Sequence, residues 1–177
     1  SGSVVPKFIE QLQKKQKITI TDPKMTRFSI TMDEALKFIF NATIIGKGSE
    51  IFVPKLKAYS IQDMKEALMD LLGNYGETII GIRPGEKLEE TLINKDEIRY
   101  SCEIDNMYMI INPHYSLFNE QELKEIHPTI KKIENMSIYS SNSVEKIPKE
   151  ELKEIVHASG LLNKKFIKFD EYKESLL

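Results

Sequence analysis

The chain has 177 residues, of which 41% are hydrophobic and 29% charged, and a formal net charge of −2; a chain of this size can bury a core without disulfide or metal staples. Its single Cys102 excludes an internal disulfide and cysteine-rich zinc sites, and His114, His127 and His157 lie far apart with no metal-ligand spacing. The lysines are dispersed among acids, which excludes a basic face for nucleic acid, and no apolar run reaches the roughly 18 residues of a membrane span; neither a span nor an export signal is expected, and the predicted location is cytoplasmic.

Val5, Phe8, Ile9 and Leu12 recur at helical spacing behind Pro6, which predicts a short amphipathic helix over about 5–14. A strand over 17–21 follows and stops at Asp22-Pro23. Thr31 and Glu34 fit a capping box, so a helix begins near residue 32, with Leu36, Ile39 and Phe40 as its expected buried stripe. After the Gly46-Lys47-Gly48 loop, residues 50–54 (EIFVP) read as an apolar strand. Ser60 and Asp63 cap a further helix carrying Met64, Ala67, Leu68, Leu71 and Leu72, which Gly73 ends.

Residues 78–82 read as a buried strand leading into Arg83-Pro84-Gly85 and a short helix over 86–93. Two strands flank Asp105-Asn106, a helical stretch is expected over 120–126, and Pro148 announces a last helix with Leu152, Ile155 and Val156. Alternating short strands and capped helices predict an α/β protein. EIFVP, TIIGI and MYMII read as strands buried on both faces, the pattern of strands that complete a larger sheet; a small self-contained α+β domain is the alternative.

Few motifs carry chemistry. Gly46-x-Gly48 lacks the third glycine of a dinucleotide loop and precedes a strand instead of following one, and the acid pairs Glu89-Glu90 and Glu150-Glu151 fall on expected solvent faces. Arginine is scarce: Arg27, Arg83 and Arg99 are the only three among 25 basic residues. Where lysine serves for simple charge, a retained guanidinium suggests a need for its planar fork, which grips phosphate or carboxylate with two parallel hydrogen bonds. Arg83 follows an apolar strand at its carboxyl edge, where ligands of α/β proteins collect; the alternative for each arginine is a buried salt bridge or a carbonyl cap.

The segments Gly2-Ser3-Val4-Val5-Pro6, 20–28 (ITDPKMTRF), 50–55 (EIFVPK) and 81–88 (GIRPGEKL), in this order, resemble the C-terminal half of the UDP-N-acetylglucosamine 4,6-dehydratases. These are extended short-chain dehydrogenase/reductases that serve capsule, O-antigen and flagellin-sugar synthesis. Residues 98–160 agree more loosely, through the MYMIINP-like strand and Tyr139-Ser140-Ser141. The resemblance implies an α/β substrate-binding portion over 1–160, with 161–177 an appended amphipathic helix or tail and the N-terminal Rossmann half absent.

It also implies that the complete enzyme binds NAD or NADP in that half, oxidises C4 of a UDP-sugar, loses water across C5 and C6 and returns hydride to C6, with C5 retained or inverted. The Tyr-x-x-x-Lys pair of that half is not in this sequence, so no catalytic residue is assigned, and no cofactor is expected on this chain alone. By the same resemblance Val4 and Pro6 line a uridine pocket, Thr21 contacts the nucleotide, Arg27 and Arg83 clamp the diphosphate and Glu86 faces the ribose hydroxyls. Ser1, Ser29 and Glu89 depart from the family's usual Arg, Trp and His. The expected partners are a UDP-sugar, the Rossmann half and further copies of the chain, since uncovered strands favour association. The competing readings are a stand-alone nucleotide-sugar binding or regulatory module and a non-catalytic interaction domain.

Overall fold

The computed structural model describes residues 4–111 and 120–163. His114, the Gly2-Ser3 part of the first motif and the expected tail from residue 164 onward lie outside these residues. The chain divides into two compact units, each built from discontinuous segments.

The first unit holds helix α1 (Val4–Gln13), strand β1 (Ile18–Ile20), helix α3 (Ile61–Leu72), strand β5 (Glu77–Ile79) and helix α5 (Lys149–Ala158). Val5, Phe8, Ile9 and Leu12 of α1 are buried, as their spacing predicts, and Met64, Ala67 and Leu68 of α3 and Leu152 and Val156 of α5 join the same unit's core. Ser60 caps α3 by accepting a hydrogen bond from the Asp63 amide, and Gly73 (φ 100°) ends it. Helices α3 and α5 are tied at the surface by Asp70, whose carboxylate pairs with Lys153 at 2.7 Å and Lys149 at 3.1 Å. Strands β1 and β5 form a parallel pair in which Ile20 stands opposite Ile79. Leu161–Asn163 closes the described chain as a 3-10 turn, held where the Gln13 side chain donates to the Leu162 carbonyl.

The second unit contains strands β2 (Thr26–Phe28) and β4 (Ala58–Ser60), which pair, and helix α2 (Met32–Ile45). A four-stranded antiparallel sheet follows in the order β3 (Ile51–Pro54), β8 (Met107–Ile110), β7 (Ser101–Ile104), β9 (Lys131–Lys132). Strands β6 (Thr91–Ile93) and β10 (Tyr139–Ser140) make a further antiparallel pair, and α4 (Glu120–Ile126) is the remaining helix. One side chain cluster of this unit centres on Val53, Ile93, Ile110 and Tyr139, the other on Ile104, Met107, Met109 and Ile130. The Tyr139 hydroxyl accepts from the Leu56 amide at 2.6 Å and faces the Pro54 carbonyl at 3.1 Å, so it continues polar pairing past a proline that has no N–H to give.

Three sequence expectations fail. The capping box of α2 is present with both reciprocal bonds, yet Leu36, Ile39 and Phe40 are exposed; Phe38 and Ile45, on the other side of the helix, face the sheet cluster. The predicted helix over 86–93 is instead a turn followed by strand β6, because pairing with β10 satisfies the backbone there. Strand β5 is exposed along its length with Ile79, Ile80 and Ile82 open to solvent, and Ile51 of β3 is exposed too, so neither TIIGI nor EIFVP is buried on both faces in this chain.

Candidate functional site

In the first unit the carboxyl ends of β1 and β5 lie side by side, and the pair is extended where the Ile80 amide donates to the Ile20 carbonyl at 2.8 Å. Thr21, half-buried, leaves β1 at this end, and Gly81-Ile82-Arg83 leaves β5 at the same end. Residues 83–86 close a tight turn in which the Glu86 amide donates to the Arg83 carbonyl at 3.0 Å. Pro84 supplies the fixed φ of the turn's second position and Gly85 the positive φ (85°) of its third, the requirement of a type II turn. The Glu86 carboxylate accepts from the Arg83 amide at 3.1 Å through Oε2. Arg83 and Glu86 are therefore held together by backbone geometry, and both side chains are exposed.

Among the described residues the Arg83 guanidinium has no hydrogen-bond or ion-pair partner, unlike the other two arginines. Arg99 is bound to Asp96 at 2.6 Å, within its own turn.

Val4 and Pro6 occupy the first turn of α1 and are half-buried. The Gln11 side chain bonds both the amide and the hydroxyl of Thr19, at 3.1 and 2.8 Å, and only residues 14–17 separate α1 from β1. Strand β1 therefore runs back along α1, which puts the first turn of the helix at the same end of the unit as Thr21. Val4, Pro6, Thr21, Arg83 and Glu86 all belong to the first unit.

Arg27 belongs to the other unit, on β2. Its guanidinium donates to the carbonyls of Thr26 at 2.7 Å, Lys87 at 3.1 Å and Leu88 at 3.3 Å, and its Nε lies 3.7 Å from a Glu90 carboxylate oxygen. The second Glu90 oxygen accepts from the Phe28 amide at 2.9 Å. Ser141, fully buried, completes the knot: its hydroxyl lies 2.8 Å from the Thr26 hydroxyl, accepts from the Glu90 amide at 2.9 Å and lies 3.1 Å from the Thr26 carbonyl, while its own amide donates to the Glu90 carbonyl at 2.8 Å. The same neighbourhood raises the Tyr59 hydroxyl from its ordinary value of 10.0 to about 12, chiefly through burial and then through the Glu90 charge, with Arg27 opposing.

Sequence reasoning passed over Glu90 and Ser141. Glu89-Glu90 has the look of a solvated pair, and the only sign of Ser141 is its place in the Tyr139-Ser140-Ser141 segment.

The Gly46-Lys47-Gly48 loop does not fit the phosphates of a dinucleotide. The amides of Lys47 and Gly48 already donate to the Glu50 carboxylate, at 3.2 and 2.7 Å, so an anion would have to displace one that is built in. Burial pushes the Glu50 carboxyl upward, but these amide bonds, with a smaller contribution from His127, outweigh it and leave it below its ordinary value. His127, buried, stands with Nε2 3.5 Å from Glu50 and helps line a cavity of about 380 Å³ with Met109, Leu123 and Ile126. None of the expected site residues lines that cavity. Among the described residues no three His, Cys, Asp or Glu side chains gather as a metal site, and no helix is long and apolar enough to cross a membrane.

Residues 1–112 match the family described as "Polysaccharide biosynthesis protein". A UDP-N-acetylglucosamine 4,6-dehydratase (inverting) of Campylobacter jejuni is 33% identical over 165 residues, covering 90% of this chain and 48% of that protein. A UDP-glucose 4-epimerase of Rickettsia felis is 31% identical over 156 residues, covering 88% of this chain and 45% of its own length. Among solved structures, Pen from Bacillus thuringiensis superposes with a TM-score of 0.73 at 32% identity, over 91% of this chain and 46% of that one. The chain spans about half the length of these relatives, and its mixed α/β architecture is that of part of an extended short-chain dehydrogenase/reductase. The chain belongs to the polysaccharide biosynthesis protein family.

Proposed function

We propose that this chain is the UDP-sugar-binding part of a nucleotide-sugar enzyme, a UDP-N-acetylglucosamine 4,6-dehydratase, that works in capsule, O-antigen or flagellin-sugar biosynthesis. The observation that carries the reading is the Arg83 turn: an exposed guanidinium without a partner among the described residues, mounted on a rigid Pro84-Gly85 turn at the carboxyl edge of a parallel strand pair. A diphosphate offers the planar pairs of oxygens that such a fork binds. Glu86, fixed beside it with Oε1 unengaged among the described residues, is the acceptor for ribose hydroxyls. Thr21, Val4 and Pro6 supply the nucleotide-facing wall. In this reading Arg27, whose guanidinium is committed to carbonyls and Glu90, positions the 87–90 segment that follows the Arg83 turn in sequence.

The hydride chemistry of the reaction belongs to NAD or NADP held by another half of the enzyme, since the glycine loop of this chain is filled by Glu50. The chain's own contribution is to bind and orient the UDP-sugar. The Campylobacter relative, named as a 4,6-dehydratase, and the Rickettsia relative, named as a 4-epimerase, have UDP-sugar chemistry in common, which supports the substrate class more firmly than the reaction.

Titration calorimetry with UDP tests the reading. The chain is expected to bind UDP, and Arg83→Ala to weaken binding roughly ten- to hundredfold, the value of one bidentate charge-assisted pair. Equal affinity in wild type and Arg83→Ala overturns the assignment of the diphosphate to this turn.

A further inference from the structure

A cavity of about 490 Å³ in the second unit is bounded by β7, β9, α4 and the 3-10 turn Ile98–Tyr100. None of the residues assigned to the nucleotide borders it, and its size is that of a small-molecule site. Most of its wall is apolar, with Leu123, Ile130, Ile133 and Met136 buried or half-buried around it. The charged part is of one sign: Arg99, Lys124, Lys131 and Lys132 line the cavity, and no Asp or Glu does. Cations gathered against an apolar wall repel one another, and an anion placed among them relieves that repulsion.

The chain meets these charges only in part. Arg99 is bound to Asp96. Among the described residues Lys131 and Lys132 make no ion pair; Lys131 stands across from Glu103 in the β7–β9 register, but the Glu103 carboxylate is taken by Lys55. Lys132 stands across from Cys102, which lines the same cavity, so the strand pairing sets Lys132 on the cavity face. Glu103 and Glu134 border an adjoining hollow that shares Lys124, Lys131 and Lys132. These lysines therefore form a rim, with methylene stems suited to the apolar wall and ammonium groups at its edge.

We propose that this cavity binds an alkyl monophosphate, its chain against Leu123, Ile130, Ile133 and Met136 and its phosphate on the lysine rim. A neutral amphiphile leaves the cations unmatched, and a free anion leaves the apolar wall uncovered. A phosphate monoester carries about −1.5 to −2 charges and three acceptor oxygens, which suits several cations better than the single charge of a carboxylate. The cavity belongs to the second unit and the Arg83 turn to the first, so this proposal and the functional reading can fail separately.

Titration calorimetry of the full chain with decyl phosphate, below its critical micelle concentration, tests the proposal. One molecule per chain is expected to bind saturably. Decanol and inorganic phosphate, which each keep one part of the ligand, should bind roughly tenfold more weakly or worse, and decanoate more weakly than decyl phosphate. Lys132→Glu changes an exposed side chain, so it should melt with wild type and weaken decyl phosphate roughly tenfold; Lys132→Ala repeats the test if the first variant melts early. Lys95→Glu, exposed elsewhere in the same unit, and Arg83→Ala should bind decyl phosphate as wild type does, and the Lys132 variants should bind UDP unchanged. Absent or unsaturable binding overturns the site. Decanol or decanoate binding as tightly as decyl phosphate overturns the phosphate head group. Unchanged affinity in both Lys132 variants, or its loss in Arg83→Ala, overturns the assignment to this cavity.

Discussion

Arg27 and Arg83 are chemically the same residue used in opposite ways. Arg27 is enclosed by acceptors from its own chain: three carbonyls and the Glu90 carboxylate take up the guanidinium fork. Arg83 has its backbone fixed as tightly, by the Glu86 carboxylate on its amide and by Pro84 and Gly85, while its side chain is left open. The difference teaches where to look for a ligand. A guanidinium already matched by local acceptors gains little from a phosphate, because binding would exchange hydrogen bonds one for one; a preorganised and unmatched one gains the full charge-assisted pair.

If that contrast is right, Arg27→Ala should destabilise the second unit by about 2–3 kcal/mol, because it leaves acceptor groups unmatched and removes charge-assisted bonds. The loss is to be read from urea unfolding, and Arg27→Lys should recover little of it, since an ammonium lacks the fork. Next in size is an alkaline effect confined to the same neighbourhood. Tyr59 holds its proton more tightly in the folded state, about 12 against 10.0, so the stability this gives is complete below pH 10 and is lost as pH rises toward 12. At pH 11 the loss is on the order of 1 kcal/mol relative to neutral pH, and Tyr59→Phe should flatten that part of the curve. Ser141→Ala removes one buried hydroxyl and exposes the Thr26 hydroxyl and Glu90 amide to a missing partner, which predicts about 1 kcal/mol by the same urea assay. Smallest of all, Arg83→Ala should alter stability by less than about 0.5 kcal/mol while weakening UDP binding roughly ten- to hundredfold. A large stability loss at Arg83, or none at Arg27, would erase the distinction between the two sites.

Features set by neighbours in sequence were legible. The Thr31 and Glu34 capping box, the Ser60 cap, the Gly73 stop and the strands around Asp105-Asn106 all follow from local bonding, and each is present. Helix α2 was misread on one point only, its buried face. Periodicity identifies apolar stripes but cannot rank two of them, and the choice between Phe38 with Ile45 and Leu36 with Phe40 is made by the sheet that the helix meets. Strand β6 was hidden in a segment of helix-favouring residues, because its pairing partner β10 lies some 45 residues away and only long-range pairing reveals it. Arg83 stood out through arginine scarcity and its place after a strand. Ser141 had no such signal: a serine becomes important here through what it is buried against, and nothing in its own neighbourhood announces that.

The Tyr59 environment has an optical consequence. The chain contains no tryptophan, so its near-ultraviolet spectrum comes from seven tyrosines. Among the described residues, those with raised hydroxyls, Tyr59, Tyr108 and Tyr139, all lie in the second unit, and burial is the leading cause for each. Late-ionising absorbance from Tyr59, Tyr108 and Tyr139 therefore reports on the second unit. With far-ultraviolet dichroism, to which the helices of the first unit contribute heavily, it lets the unfolding of the two units be timed separately in an unlabelled protein.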